Sequence, residues 1–313
     1  MPWKFKNYGQ AGIPISDLFP HVAKHADKLC VIRSMTSNFS EHTTANYFLH
    51  TGFGQVGRPS MGSWFNYGLG TVNQNLPGFI VLSPQSGFGG AQNYGSAFLP
   101  AIYQATPISG SSGQISNIAN RRMSRERQRM QLDLIQGLNQ GRLKQKQVDP
   151  NLESVIDSFE LAFKMQTEVP RLMDVYKESS SVRRAYGIGS RSTDSFGRQC
   201  LLARRMAEAG VRFIELNYGN WDHHRGLKRG MERNCQAIDK PIAALLADLE
   251  KRDMLKDTLV MWGGEFGRTP HGESDDGRDH NNRGYTMWMA GGGVKGGMRY
   301  GQTDDYGFTA VDG

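Results

Sequence analysis

Cysteine is scarce in this chain: Cys30, Cys200 and Cys235 among 313 residues, an odd number with no Cys-x-x-Cys spacing. Neither a disulfide framework nor a thiolate zinc site fits that pattern. Cys30 falls in an apolar, strand-like run and Cys200 in a helical pattern, so buried structural thiols are expected. Long apolar runs are missing as well. None approaches the roughly 18 residues that cross a bilayer, so no membrane span is expected. The opening Met1-Pro2-Trp3-Lys4-Phe5-Lys6 is no secretory leader, and Tyr306–Gly313 stops in mid-loop without a terminal helix. Both ends read as cuts, and the expectation is one α/β domain over residues 1–313, truncated at each end.

Acidic residues are in the minority, 30 Asp+Glu against 37 Lys+Arg, for a net charge of +7. Such a balance invites a nucleic-acid reading until the charge is located. Between Arg121 and Lys146 lie eight basic residues against only Glu126 and Asp133, a net of +6. The remainder of the chain is close to neutral. The basic stretch has no interleaved aromatics and no reader motif, so nucleic acid is not an expected partner. A solvated basic helix flanking the entrance for an anionic substrate fits it better. Hydrophobic residues reach 38%, enough to build a core, which excludes disorder as the main state.

The pattern along the chain alternates strands and helices. A helix is expected over Ile15–Ala26, then the strand Leu29–Met35. The stretch from Glu41 to Gly52 ends in a short helix, and another covers Met61–Leu69. The strand Gly78–Leu82 precedes a Gly/Ser/Gln-rich loop from Ser83 to about Ser116, long enough to be a lid. The basic helix and an amphipathic helix from about Leu152 to Glu178 complete an insertion over residues 83–180. Helix Asp194–Ala209, strand Val211–Leu216, helix Met231–Lys251, strand Thr258–Trp262 and strand Tyr285–Ala290 follow. The alternation predicts an α/β fold around a mostly parallel sheet, with ligands bound at the carboxyl ends of strands.

Histidines gather at those ends. Six of the eight fall in three groups, His42 with His50, His223 with His224, and His271 with His280, accompanied by Glu41, Asp222, Glu265 and Asp279. Imidazole plus carboxylate is the ligand set of metal-dependent hydrolases, where the ion activates water or polarises an ester oxygen. Three such loops on one sheet edge predict a divalent metal, zinc foremost, with manganese, calcium or magnesium as alternatives. Each piece has a plainer reading. His50 packs or caps, one of His223 and His224 points away, and His271 or His280 is a solvated loop residue. Glu265, directly after an apolar strand, is costly unless paired or ligated.

Leu29–Met35, the stretch from His42 to Gly52, Trp221-Asp222-His223-His224, Gly264-Glu265-Phe266-Gly267-Arg268-Thr269-Pro270, Gly277-Arg278-Asp279-His280 and the run Gly291–Gly297 resemble the bacterial family called domain of unknown function 1501. The likeness covers nearly the whole chain. It implies the alkaline phosphatase and sulfatase superfamily: a three-layer sandwich with a mostly parallel central sheet, a metal site, and hydrolysis of a phosphate or sulfate ester. The superfamily's nucleophile lies about nine residues before a Thr-Gly helix end, which points to His42, with Thr43 one residue away. By the same likeness Asp222, His224, Glu265 and His280 are metal ligands, with His223 and Asp279 as further candidates. Arg268 and Arg278 contact the anion, a role their guanidinium geometry suits. The helix start at His42 also suits an anion. Departures are visible: Phe266 replaces a ligand, and the superfamily's first metal-binding Asp, on an N-terminal strand, is missing. A non-catalytic, sulfatase-like binding protein is the alternative. The likeness further implies a periplasmic or extracytoplasmic location and an anionic small-molecule or glycan ester as partner. It says nothing of oligomeric state.

Overall fold

The computed structural model describes residues 2–108, 118, 122–146 and 150–313. Arg121 and the stretches 109–117 and 147–149 of the expected insertion lie outside them, as do the side chains at 142–146 and 150–153. The chain forms β1 (Phe5–Tyr8), β2 (Ile13–Ser16), β3 (Leu29–Met35), α1 (His42–Thr51), α2 (Met61–Leu69), β4 (Phe79–Leu82) and β5 (Thr106–Ile108). Helices α3 (Arg125–Lys146), α4 (Pro150–Met173), α5 (Ser180–Ala185) and α6 (Asp194–Glu208) lead to β6 (Phe213–Leu216) and α7 (Leu227–Lys251). The last stretch holds β7 (Val260–Trp262), β8 (Gly267–Arg268), β9 (His280–Asn281), β10 (Tyr285–Ala290), β11 (Met298–Tyr300), β12 (Gln302–Thr303) and β13 (Ala310–Asp312).

This is a mixed α/β fold whose strands form several sheets, not one. A three-stranded sheet, β5-β4-β6, is parallel throughout. A four-stranded sheet, β11-β3-β10-β7, is mixed, because β10 runs against both β3 and β7. Being antiparallel to the same strand, β3 and β7 share a direction and release their chains at one edge. Strand β4 is buried along its full length, as a central parallel strand with both faces covered should be. Ile80 and Leu82 enter the main core with Leu201, Ile238 and Leu246 of α6 and α7, while Phe79 and Val81 pack with Tyr94 on the other face. All three cysteines are buried and unpaired.

Two local expectations fail for identifiable reasons. The helix expected over Ile15–Ala26 is instead β2, paired with β1, followed by a 3-10 turn over Val22–Lys28. Pro20 is the cause: inside a helix it would lose a hydrogen bond and clash with the preceding turn. Within the expected Ser83–Ser116 loop, β5 adds a strand on the sheet edge, where the missing N–H of Pro107 is tolerated. Helix α1 begins at His42, earlier than the pattern indicates, because Glu41 caps it. The Glu41 carboxylate accepts from the N–H groups of Thr43 at 2.9 Å and Thr44 at 3.1 Å.

Two buried charge clusters fix the helices. Arg204 on α6, 1% exposed, reaches Glu178 at 2.6 Å, Glu208 at 2.6 Å and Asp248 on α7 at 3.1 Å. Arg205 and Arg252 share the same carboxylates. Arg204→Ala strands Glu178 and Asp248 with weaker partners, and chemical denaturation should show a loss of about 3 kcal/mol.

His50 ties α1 to β6. Its Nδ1 lies 2.7 Å from the Asn46 carbonyl and its Nε2 3.0 Å from Glu215, two acceptors that only an imidazolium satisfies together. Burial disfavours that charge, but Glu215 and the Asn46 carbonyl outweigh it, raising the His50 pKa above its ordinary 6.5. A raised folded pKa stabilises fully below about pH 6.5 and ceases to do so as pH climbs through the folded value. The stability gap between the parent chain and His50→Gln should therefore narrow as pH rises from 6.5, followed by denaturation at several pH values. A gap independent of pH would contradict the pairing.

Candidate metal centre

Four loops converge beyond the carboxyl ends of β3, β6 and β7. The β3–α1 turn brings His42 and the β6–α7 loop brings Asp222 and His224. The loop after β7 brings Glu265, and the β8–β9 pair sets Arg268 directly across from His280. Asp222 is the hub. Its Oδ1 lies 3.0 Å from His224 Nε2, 3.2 Å from His280 Nε2, 3.4 Å from His42 Nε2 and 2.7 Å from Arg268 Nη2. His224 Nε2 and His280 Nε2 are 3.1 Å apart.

The far side of each ring decides where its proton sits. His280 Nδ1 faces the Ser40 carbonyl at 2.6 Å, His42 Nδ1 faces Glu265 at 2.6 Å, and His224 Nδ1 faces Glu273 at 2.6 Å. Carbonyls and ionised carboxylates only accept, so each Nδ1 carries a proton and each ring turns its Nε2 toward Asp222. In the tautomer with Nε2 unprotonated, three nitrogen lone pairs and a carboxylate oxygen would repel one another without a cation. The Nε2 atom of His42 is buried and has no hydrogen-bond partner. Proton-bearing rings are a poor substitute, since His224 and His280 would then press two charges together at 3.1 Å.

A metal ion fits this donor set. His42, Asp222 and His280 form one group able to hold an ion, and His224, Glu273 and Asp279 form another beside it. Ligand atoms about 2.0–2.1 Å from a tetrahedral centre lie about 3.3 Å apart, close to the measured 3.0–3.4 Å. Acceptors behind the rings are the usual companions of metal-bound imidazoles, fixing the tautomer and raising basicity. Burial opposes the charge on Asp222, yet Arg268 and His280 hold it well below the usual carboxylate range. Glu273 lifts the His224 imidazole above its ordinary value.

A family model described as "Protein of unknown function (DUF1501)" matches residues 1–313. The chain belongs to the DUF1501 family. Comparison with curated proteins and with solved structures gave no match.

In this DUF1501 chain most of the expected site residues meet. Adjacent His223 and His224 do diverge: His223 is buried against Gly230 of α7, its Nδ1 without a partner, and burial pushes its pKa down. Any side chain at Gly230 would collide with that ring. Asp279 accepts from the His280 N–H at 2.7 Å and stands in the second group. Thr43 gives its backbone N–H to Glu41, and the neighbouring Thr44 gives its hydroxyl. Arg278 turns its guanidinium onto the carbonyls of Asp276 and Gly277, bracing its own loop. His271 lies outside both groups, against Phe308. The α1 amino end, expected to suit an anion, is already filled by the Glu41 carboxylate.

Sequence reasoning overlooked Glu273 and the Ser40 carbonyl. Glu273 sits in a loop between charged residues, and only the fold shows it meeting His224. Gly277 makes that approach possible, since its backbone presses on the His224 carbonyl where a Cβ would clash. Titration of the chain with zinc, manganese, magnesium and calcium against a chromogenic chelator tests the centre. Asp222→Ala and His280→Ala should abolish tight binding, while Glu273→Gln should weaken it about 10- to 100-fold.

Proposed function

We propose that this DUF1501 chain is a zinc-dependent hydrolase of phosphate or sulfate esters. The convergence of three imidazole Nε2 atoms on Asp222, next to the guanidinium of Arg268, carries the reading. Nitrogen-rich donors at these separations favour zinc over magnesium or calcium, which prefer oxygen ligands. His42, Asp222 and His280 would hold the ion, with His224 in the second group beside it, and the ion would supply Lewis-acid charge to polarise the ester and lower the pKa of water. Glu265, Glu273 and the Ser40 carbonyl keep the rings in the ligating tautomer. Arg268 balances the anion's charge. This reading assigns the attacking oxygen to water. That oxygen bonds to phosphorus or sulfur while the bridging ester oxygen leaves with its electron pair and takes up a proton.

The proposal extends to the sulfatase-like branch of the alkaline phosphatase superfamily, a three-layer sandwich and an extracytoplasmic location. The parallel β5-β4-β6 sheet under helices supports the architecture. No helix among the described residues is long and apolar enough to cross a membrane. A second reading is a protein that binds such anions without converting them, and the phenylalanine Phe266 packed against His42 and His280, where the superfamily has a ligand, favours it. Turnover of aryl phosphate and aryl sulfate by zinc-loaded chain separates the two. Hydrolysis is expected to vanish on chelation, to return with zinc, and to fall at least 100-fold in Asp222→Asn. Binding without release of the phenol supports the second reading and overturns the first.

A further inference from the structure

The His42 ring lies between two phenylalanines. Phe266 is on one side, centroids 5.0 Å apart, and Phe88 on the other at 4.5 Å, with interplanar tilts of 38° and 36°. The two aromatic rings differ in what else they touch. Phe266 also packs on His280 at 4.5 Å and carries the Arg268 guanidinium over its ring at 5.8 Å, so its surfaces are occupied. Phe88 is 47% exposed, with His42 stacked on one side.

An exposed aromatic ring stacked against an imidazole of the candidate centre stands where a bound molecule could reach it. The backbone points the same way. Phe88 has φ +49°, a left-handed conformation that bulky residues avoid, within the sequence Gly87-Phe88-Gly89-Gly90. The turn is held closed: the Gly90 N–H donates to the Gly87 carbonyl at 3.0 Å. The buried Asn93 side chain donates to the Phe88 carbonyl at 3.1 Å. Strain retained by such fastening is a mark of functional positions. It keeps the ring beside His42 rather than folded into the loop.

We propose that Phe88 is a stacking platform for the substrate and selects esters whose leaving group carries a planar aromatic ring. The anionic head lies toward Arg268 and Asp222, and the ring beyond the ester oxygen lies on the exposed surface of Phe88. Only the identity of the bond that breaks rests on the hydrolase reading above. A flat ring face recognises a flat partner, whereas a straight alkyl chain gains contact area but no stacking geometry.

Two measurements on the full chain, loaded with zinc, test the platform separately from the chemistry. In the first, phenylphosphonate and methylphosphonate are titrated calorimetrically. The parent chain should prefer the phenyl compound, Phe88→Ala should lose that preference about five- to tenfold, and Phe88→Trp should keep it. In the second, the ratio of kcat/KM for phenyl phosphate over n-butyl phosphate should fall by a similar factor in Phe88→Ala. Zinc content of each variant, read by the chelator, shows that His42 still ligates. A ring preference in binding with no turnover of either ester keeps the platform and rejects the hydrolase. Turnover with equal losses on both esters, or binding without a ring preference, overturns the platform.

Discussion

Everything around the centre depends on the protons of three imidazoles being held on the outside. Glu265, Glu273 and the Ser40 carbonyl take the Nδ1 protons of His42, His224 and His280, and what remains is a set of lone pairs facing one carboxylate oxygen. Such an arrangement is unstable by itself, because like dipoles and a negative charge are confined together. The scaffold supplies the confinement. Strands β3 and β7 end at one edge because β10 runs against both, α1 is anchored by its Glu41 cap and by His50, and His280 is fixed across from Arg268.

Much of this was legible before any coordinates. The regular strands Leu29–Met35 and Tyr285–Ala290 and the helix Met61–Leu69 fall where the pattern puts them, since their periodicity is not interrupted by proline. Histidines and acids clustered after strand ends pointed to side chains that the fold does bring together in groups able to hold a metal ion, because unpaired charge is costly next to apolar strands. What stayed hidden depends on contacts between distant segments. Nothing in the sequence joins Glu273 to His224, and nothing says that the reversal at β10 splits the strands into two sheets. The β1–β2 pair and the 3-10 turn after it were hidden by an apolar periodicity that Pro20 prevents from becoming a helix.

The arginine cluster and the metal centre use charge in opposite ways. Around Arg204 the guanidinium is almost wholly enclosed, but three carboxylates and two neighbouring arginines answer it, so the charge closes on itself. Burial there knits α6 to α7 behind the parallel sheet. At the centre donors face inward and their partners face outward, an arrangement that could hold a positive ion. Where the side chains of the basic stretch are described, Arg129 pairs with Asp133 and Glu160 within the helical hairpin of α3 and α4.

The Glu41 cap has a consequence for how the site can be filled. By occupying the free amides of α1 it removes the one backbone feature that would welcome a negative group, and it adds a fixed negative charge to the rim. Glu41, Asp222, Glu265, Glu273 and Asp279 thus stand close together, with Arg268 answering Asp222. On the proposed reading such a group of carboxylates repels a dianion until a divalent ion offsets it, so the cation would load before the anion.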